Sequence, residues 1–268
     1  MSFLYTSGLC IKTPQREEGK TVRMKTVIPA ISIIIPVYRE ADRINQLVTY
    51  LREIDRIESC EIIIVDGHPA KTTLAALHHV DADVVALGSE KGRARQMNAG
   101  ASRASADTLL FLHADTYLPD SAVDDVLCAM KDSRVSAGSF GFSFDSHRRV
   151  LRWLGAIVSL RARLTRLPLG DHAIFIRREE FLRMGKYREI PLMEDLDLMR
   201  RIKRTGGRVR ILGSKVKTSP RRFEQEGLWY CTIRNLVLVG LFSLGARPGR
   251  LKRFYPDAAP TAHMPEGE

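Results

Sequence analysis

Acidic residues recur along this chain where buried β-strands should end. Glu40, Asp66 and Asp115 each follow a short apolar run, and Glu194 and Asp195 come much later, after a proline. A carboxylate at such a place can hold a divalent metal ion, accept hydrogen bonds from a sugar hydroxyl or take up a proton. The residue types therefore indicate a site for binding and chemistry, provided that the fold brings them together.

The first half of the chain alternates apolar runs with helical patterns. The predicted strands are 31–36, 61–66, 83–87 and 108–113. The predicted helices are 44–54, 71–79, 93–103 and 120–131. Continuous apolar runs between helices are typical of parallel strands that are buried on both faces. Because ligands bind beyond the carboxyl ends of such strands, the first three acidic positions should face one crevice.

The pattern changes after residue 132. The predicted elements there are a strand at 135–144, a helix at 150–167, a strand at 172–177, a helix at 193–204, a strand at 208–212 and a hydrophobic helix at 228–244. The strand at 135–144 alternates small and aromatic residues, which favours antiparallel pairing. We predict an α/β fold with a mainly parallel sheet, flanked by helices and extended by a C-terminal helical elaboration.

The chain of 268 residues carries a net charge of +11, and the positive charge is concentrated in its second half. Residues 148–253 hold 26 Lys and Arg against 9 Asp and Glu. Such a surface favours anionic partners such as phosphorylated substrates, anionic lipid or nucleic acid, although it can also serve solubility alone. Four scattered cysteines without metal-binding spacing predict reduced thiols and a cytoplasmic location.

The ends of the chain are expected to contribute little to the fold. Residues 1–30 lack the pattern of a secretory signal and are interpreted as a poorly ordered extension. Residues 257–268 are predicted to be a disordered tail. The sequence contains neither a Gly-x-Gly-x-x-Gly after the first strand nor a Gly-x-x-x-x-Gly-Lys-Ser/Thr loop, so the dinucleotide-binding and P-loop classes lose their main support.

Four motifs in order, Pro36-Val37-Tyr38-Arg39-Glu40, Asp66-Gly67, His113-Ala114-Asp115 and Glu194-Asp195, resemble those of the family 2 glycosyltransferases. Those enzymes have the GT-A fold and invert the configuration of the transferred sugar. The resemblance covers about residues 31–223, which would form the glycosyltransferase domain, followed by a hydrophobic and basic helical segment at 224–256. Leu-Phe-Leu-His-Ala-Asp-Thr and Gly-Arg-Ala-Arg-Gln-Met-Asn-Ala-Gly are similar to a bacterial branch associated with radical-SAM and selenoprotein loci.

The resemblance implies a donor site for a nucleotide diphosphate sugar. It assigns contacts with the nucleoside to the segment from Pro36 to Glu40 and to Asp66, contacts with phosphate or base to basic residues at a helix start, and a divalent cation, Mg²⁺ or Mn²⁺, to Asp115. The implied donor-site residues are Pro36, Val37, Tyr38, Glu40, Asp66, Gly67, Lys91, Arg93, Arg95, His113, Ala114 and Asp115. His113 replaces an aspartate of the family motif, and the acidic residue that usually follows Asp-Gly is missing.

The resemblance also implies the acceptor side. Asp195 matches the general base, with Glu194 beside it, and Asp171 and His172 match a segment that lines the acceptor site. Arg221 and Arg222, followed by Phe223, match a lid that closes over the diphosphate.

Structural interpretations of the same residues stay open. Glu40 can cap a helix, Asp66 can support a turn, His113 can simply close its strand, and the basic residues can form a solvated surface. Glu194 and Asp195 can be ordinary first-turn charges of a helix.

Other functions remain as alternatives. Nucleotidyl transfer would use similar residues but release pyrophosphate, and the chain can also be an inactive module that binds a nucleotide or a lipid surface. Nucleic-acid binding is disfavoured because no recognition motif is present. The helix at 228–244 is too short and too polar for a convincing membrane span, but it and the helix at 150–167 suggest contact with anionic membrane at the inner face of the cell membrane.

Overall fold

A computed structural model describes residues 28–78 and 84–255 of the chain. The predicted extension at 1–30, except for its last three residues, and the predicted tail at 257–268 lie outside these ranges. The last residue of the helix predicted at 71–79 and the first residue of the strand predicted at 83–87 also lie outside them.

The described residues form one eight-stranded sheet in the order β3-β2-β1-β4-β7-β6-β8-β5. Its strands are β1 (Ile31–Val37), β2 (Cys60–Asp66), β3 (Val84–Gly88), β4 (Thr108–Phe111), β5 (Thr116–Tyr117), β6 (Val135–Phe144), β7 (Ile174–Arg177) and β8 (Arg208–Thr218). Strands β1 to β4 pair in parallel, as the sequence predicts. The mainly parallel α/β class is therefore confirmed.

Helices cover the sheet. They are α1 (Ala41–Arg52), α2 (Thr72–Ala75), α3 (Arg93–Arg103), α4 (Ala122–Met130), α5 (Arg149–Thr165), α6 (Arg178–Arg183), α7 (Glu194–Arg204), α8 (Arg221–Glu226), α9 (Leu228–Ser243) and α10 (Pro248–Lys252). Helix α2 is shorter than the predicted helix at 71–79. The predicted C-terminal helical elaboration is confirmed as α8 to α10.

Strand β6 pairs differently on its two sides. It is antiparallel to β7, as predicted, but parallel to β8. Strand β8 also runs well beyond the predicted 208–212, because its pairing with β6 continues past a register shift as far as Phe144 and Thr218. The alternation of exposed and buried residues in the second half of β8 is the signature of a strand with one solvated face.

Both faces of the sheet are buried, which explains the continuous apolar run of β1. Ile33 and Ile35 belong to the core cluster on one face, and Ile34 belongs to the cluster on the other. All three side chains are completely buried. Successive side chains of a strand point to opposite faces, so a strand covered on both sides needs apolar residues at every position.

Helix α3 is fixed closely against the carboxyl ends of β1 and β2. A Cβ added at Gly100 would lie 2.5 Å from Cγ2 of Ile34, so only glycine permits this approach. The amide nitrogen Nε2 of Gln96 donates hydrogen bonds to the carbonyl oxygens of Val37 at 2.6 Å and Val65 at 2.8 Å. These contacts hold the start of α3, and hence its basic residues, above the edge where the two strands end.

Candidate active site

A cavity of about 810 Å³ opens at the carboxyl ends of β1 and β4. This volume is within the range of sites that bind small molecules, about 300–1,000 Å³. Most of the residues that the sequence proposes for the site line it: Pro36, Val37, Tyr38, Glu40, Lys91, Arg93, Arg95, His113, Ala114, Asp115, Glu194, Arg221 and Arg222. The predicted crevice is therefore present and gathers residues from distant parts of the chain, but of the three acidic positions predicted to face it only Glu40 and Asp115 line it, and Asp66 does not.

Asp115 lies on the wall of the cavity just beyond β4. Its backbone oxygen accepts a hydrogen bond from the Ser219 amide at 3.0 Å, which fixes the segment against the end of β8. Glu40 lines the same cavity from the start of α1 and makes no side-chain cap there, contrary to the simple capping interpretation. Burial raises the pKa of Glu40, Arg221 opposes that shift, and Asp115 adds to it. The two carboxylates therefore share one electrostatic environment.

His113 is held as a neutral imidazole. Burial lowers its pKa to about 3, and the positive charge of Arg93 adds to the effect. A neutral imidazole can accept a hydrogen bond or coordinate a transition metal, so the chemistry proposed for this position remains available.

Arg93 and Glu194 join the two halves of the chain across the cavity. The Nε atom of Arg93 lies 2.9 Å from Oε1 of Glu194, whose side chain is almost completely buried. The carboxylate raises the pKa of Arg93, so the guanidinium keeps its charge. Glu194 thus serves first as the partner of Arg93, and Arg93 presents a cation to the cavity.

Asp195 is fixed at the start of α7, next to the cavity but not on its wall. Its Oδ2 atom accepts a hydrogen bond from the amide of Gly170, and its Oδ1 atom accepts one from the amide of Leu196 at 2.6 Å. A Cβ at Gly170 would lie 2.9 Å from Nε2 of His113 and 3.2 Å from Oδ2 of Asp195. His113 and Asp195 therefore border the same glycine, and Asp115 follows His113 by two residues. The carboxylates proposed for metal binding and for base chemistry lie on the same side of the molecule.

Asp66 and Gly67 do not line the cavity. The Asp66 side chain is fully buried, and it accepts hydrogen bonds from the amides of His68 at 2.8 Å and Thr73 at 2.9 Å. Gly67 leaves the space that the Gln96 side chain occupies. In this structure Asp66 supports the loop between β2 and α2, which agrees with the interpretation of Asp66 as a turn residue. Its contact with the nucleoside stays a prediction.

Asp171 and His172 also lie outside the cavity wall, in a polar cluster beside Asp195 that includes Arg161 of α5. His172 is buried, and its Nδ1 atom lies 3.2 Å from the carbonyl oxygen of Phe140. Burial lowers the pKa of His172 to about 4. Burial raises the pKa of Asp171 to about 7, the negative charge of Asp195 adds to that rise, and Arg161 opposes it.

Replacing Asp171 with asparagine should stabilise the protein at alkaline pH. The raised pKa means that the folded protein keeps a proton that the unfolded chain releases between about pH 4 and pH 7, so the stability contributed by this group is lost as the pH rises through that window. Because 36% of the side chain is solvated, we expect a rise in Tm of only about 2–4 °C at pH 8. Thermal unfolding at pH 4 and pH 8 tests this, with Asp120→Asn as the exposed control. An equal shift at both pH values would contradict it.

The cavity also contains residues that the sequence interpretation missed. Lys252 and Tyr255, at the end of the C-terminal elaboration, line it. The ring of Tyr255 lies close to two guanidinium groups, with Cζ of Arg222 at 4.3 Å and Cζ of Arg234 at 4.9 Å from its centroid. No local pattern points to these residues, because only long-range packing brings the C-terminal segment over the site.

The cavity offers few protein ligands for a metal ion, but enough for a cation that is also bound by the substrate. Among the residues that the structure describes, no group of three or more His, Cys, Asp or Glu side chains is placed to hold a metal. The carboxylate of Asp115 lines the cavity and has a weak contact, at 3.5 Å, from the Thr116 hydroxyl. Magnesium is commonly held by one or two carboxylates together with substrate phosphates, so this donor set fits such a cation.

The described residues have a fold of the GT-A type, with the cavity at the carboxyl ends of its strands. The solved structure of a mannosyltransferase from Pyrobaculum calidifontis, PcManGT in complex with GDP-Man and Mn²⁺, is 20% identical with a TM-score of 0.62, covering 85% of this chain and 68% of that one. The S. aureus protein TarS, residues 1–349, is 16% identical with a TM-score of 0.56, covering 84% and 69%. The same TarS fragment in complex with UDP has a TM-score of 0.55.

The model of the family "Glycosyl transferase family 2" matches residues 32–182. Since this is more than half of the chain, the protein belongs to that family and is a glycosyltransferase that transfers sugar from a nucleotide sugar. No curated relative matches the sequence.

Proposed function

We propose that this protein transfers a sugar, with inversion, from a nucleotide diphosphate sugar to a hydroxyl acceptor. The observation that carries the proposal is that His113 and Asp195 both border Gly170, next to the cavity that Asp115 lines. If the donor binds at Asp115, its anomeric carbon would lie close to the fixed carboxylate of Asp195. Inversion follows when an acceptor oxygen attacks that carbon from the face opposite the leaving group.

In this proposal Asp195 is the general base. Its two hydrogen bonds from backbone amides hold it in one orientation, and its place in the first turn of α7 suits a negative charge. It would take the proton of the acceptor hydroxyl as the oxygen attacks. Glu194 keeps Arg93 in place. Asp171 and His172 lie outside the cavity wall and would support the acceptor side from there.

Asp115 would hold Mg²⁺ or Mn²⁺, and the structurally similar PcManGT was solved with Mn²⁺ together with GDP-Man. When bound, such a cation offsets the charge that develops on the leaving nucleoside diphosphate. Arg93, Arg221 and Arg222 would add fixed positive charge around the diphosphate. The position of Arg221 and Arg222 on α8 suits the role of a lid.

The nucleoside would occupy the side of the cavity formed by the segment from Pro36 to Glu40. The ring of Tyr38 has Nζ of Lys91 at 4.7 Å from its centroid and Cζ of Arg39 at 5.5 Å. An aromatic ring next to cations can stack on a base while the cations meet phosphate. Nε of Arg95 lies 3.0 Å from Oε2 of Glu189, so Arg95 would form part of the rim of the cavity.

We also propose that the enzyme works in the cytoplasm, at the inner face of the cell membrane. The described cysteines, Cys60, Cys128 and Cys231, are free thiols, which suits a reducing compartment. The basic second half suits an anionic surface. The membership in the radical-SAM-associated branch remains a hypothesis based on the sequence motifs.

The proposed function is tested by a thermal-shift screen with UDP-, GDP- and dTDP-sugars in the presence of Mn²⁺, followed by product analysis. We expect one nucleotide class to raise Tm and, with an acceptor, to yield the free nucleoside diphosphate and a product of inverted anomeric configuration by NMR. Release of pyrophosphate would instead establish nucleotidyl transfer. Binding without turnover of any donor would favour an inactive module.

A further inference from the structure

Helix α5 exposes an unbroken apolar stripe to solvent. Trp153, Ile157, Leu160 and Leu164 recur at helical spacing and are between 55% and 75% exposed. The opposite face of α5, with Leu151, Gly155, Ser159 and Ala162, is the one buried against the domain. The apolar stripe of the sequence is therefore not a core contact, and large exposed apolar patches mark interaction sites.

Helix α9 exposes a second apolar surface. Its exposed large side chains are Trp229, Tyr230, Ile233, Leu236, Val237 and Leu241, each at least 41% exposed. The buried side is formed by Cys231, Arg234 and Leu238. Arg234 interrupts the apolar sequence of α9, but it points inward, where it forms an ion pair with Glu226. Within the described ranges, no helix is both long enough and apolar enough to cross a membrane.

The ends of α5 and α9 meet at α7. Nζ of Lys203 donates a hydrogen bond to the carbonyl oxygen of Thr165, the last residue of α5, at 2.7 Å. Arg200, one turn earlier on α7, donates to the Ser243 hydroxyl at the end of α9. Because Arg200 and Lys203 are neighbours on one helix surface, the C-terminal ends of α5 and α9 lie close together at this end of the domain.

The charged residues within these two helices have one sign. Neither α5 nor α9 contains an aspartate or a glutamate. The exposed basic residues on α5, directly before and after it, and after α9 are Arg148, Arg149, Arg152, Arg163, Arg166, Arg247, Arg250 and Arg253. A second copy of this chain would bring arginine against arginine, whereas an anionic bilayer offers both opposite charge and an apolar interior.

We infer that α5 and α9 form a membrane-docking surface that lies in the interface of an anionic bilayer. Each helix has 16 or 17 residues, so it is about 25 Å long and would lie along the surface with its tryptophan at the headgroup level. The inference rests on the proposed function only for the location of the enzyme. It identifies the residues that make the contact and the lipid charge that they require.

The apolar part of the surface is tested by co-sedimentation of the full chain with vesicles of phosphatidylcholine alone or with one third phosphatidylglycerol. We expect binding to the anionic vesicles, and the variants Trp153→Ala and Leu164→Ala should each weaken it about tenfold, because each loses a large apolar group that the bilayer would bury. Leu182→Ala is the matched control. Leu182 is an exposed leucine of α6, which is not part of the proposed surface, and its replacement should leave binding unchanged.

The charged part is tested with Arg152→Gln combined with Arg163→Gln, against Arg103→Gln combined with Arg210→Gln as a control of equal charge. Only the first pair should reduce binding to anionic vesicles at low salt, and about 0.5 M NaCl should abolish the difference. Equal partition onto neutral and anionic vesicles, or equal effects of both pairs, would overturn the inference.

Two further measurements distinguish a membrane-docking surface from a dimer interface and from loss of folding. Because the replaced side chains are exposed, circular dichroism and Tm should match the parent protein, and the α9 variant Leu236→Ala provides an independent test. A dimer in analytical ultracentrifugation that Trp153→Ala dissociates would show that the surface binds a second copy instead. Turnover of a nucleotide sugar without vesicle binding would refute the docking surface and the membrane location but leave the proposed sugar transfer intact.

Discussion

Asp195→Asn should lower kcat by about 10²–10⁴-fold while leaving the affinity for the nucleotide sugar nearly unchanged. The amide oxygen of asparagine can still accept the hydrogen bond from Gly170, although the bond from the amide of Leu196 is lost. The amide cannot take the proton of the acceptor hydroxyl, so only the transfer step is lost. Initial rates with saturating acceptor, together with donor binding by calorimetry, measure the two effects separately.

The matched control for this variant is Asp197→Asn on the same helix. The Asp197 carboxylate pairs with Arg201 at 2.8 Å and Arg188 at 3.1 Å, so both of its oxygens serve to hold α7 in place. Its replacement should lower Tm but leave kcat close to that of the parent enzyme. Normal turnover by Asp195→Asn would contradict its assignment as the general base.

Asp115→Asn should lower kcat/KM by about 10²–10³-fold, which corresponds to about 3–4 kcal/mol of lost transition-state stabilisation. Asparagine keeps one oxygen toward the cavity but loses the negative charge that attracts a divalent cation. The rise in Tm caused by a nucleoside diphosphate with Mn²⁺ should therefore disappear. A titration of Tm against Mn²⁺ at fixed nucleoside diphosphate measures the loss.

Asp120→Asn, five residues later and exposed, is the control and should behave like the parent. If Asp115→Asn kept the full dependence of turnover on Mn²⁺, the cation would have to bind elsewhere. In that case Glu40, which shares the cavity, would be the next candidate.

The fold was predictable wherever a local pattern decides the structure. Strands β1 and β2 are recognisable by nearly uninterrupted isoleucine and valine, since each is buried on both faces. Strand β5, with two residues, and the far half of β8 have no comparable pattern, because their pairing depends on partners more than 70 residues away. Helix α10 was missed because only its packing against distant residues of the chain defines it.

The site was predictable as a set of residues but not as a set of contacts. The order of the motifs proposes Asp115, Glu194 and Asp195 as site residues, yet the sequence does not say that Glu194 pairs with Arg93. It also does not say that the Asp66 carboxylate is occupied by backbone amides of the next helix. Burial and hydrogen-bond partners are properties of the folded chain, and they decide which of two chemically identical carboxylates is free to react.

The contact between Arg93 and Glu194 makes the two parts of the polypeptide interdependent. Arg93 comes from the stretch that begins α3, and Glu194 from the stretch that begins α7, about a hundred residues later. A fragment that ended between them would leave an unmatched buried glutamate on one piece and an unmatched arginine on the other. Folding of the stretch that begins α3 and folding of the stretch that begins α7 therefore depend on each other through this ion pair.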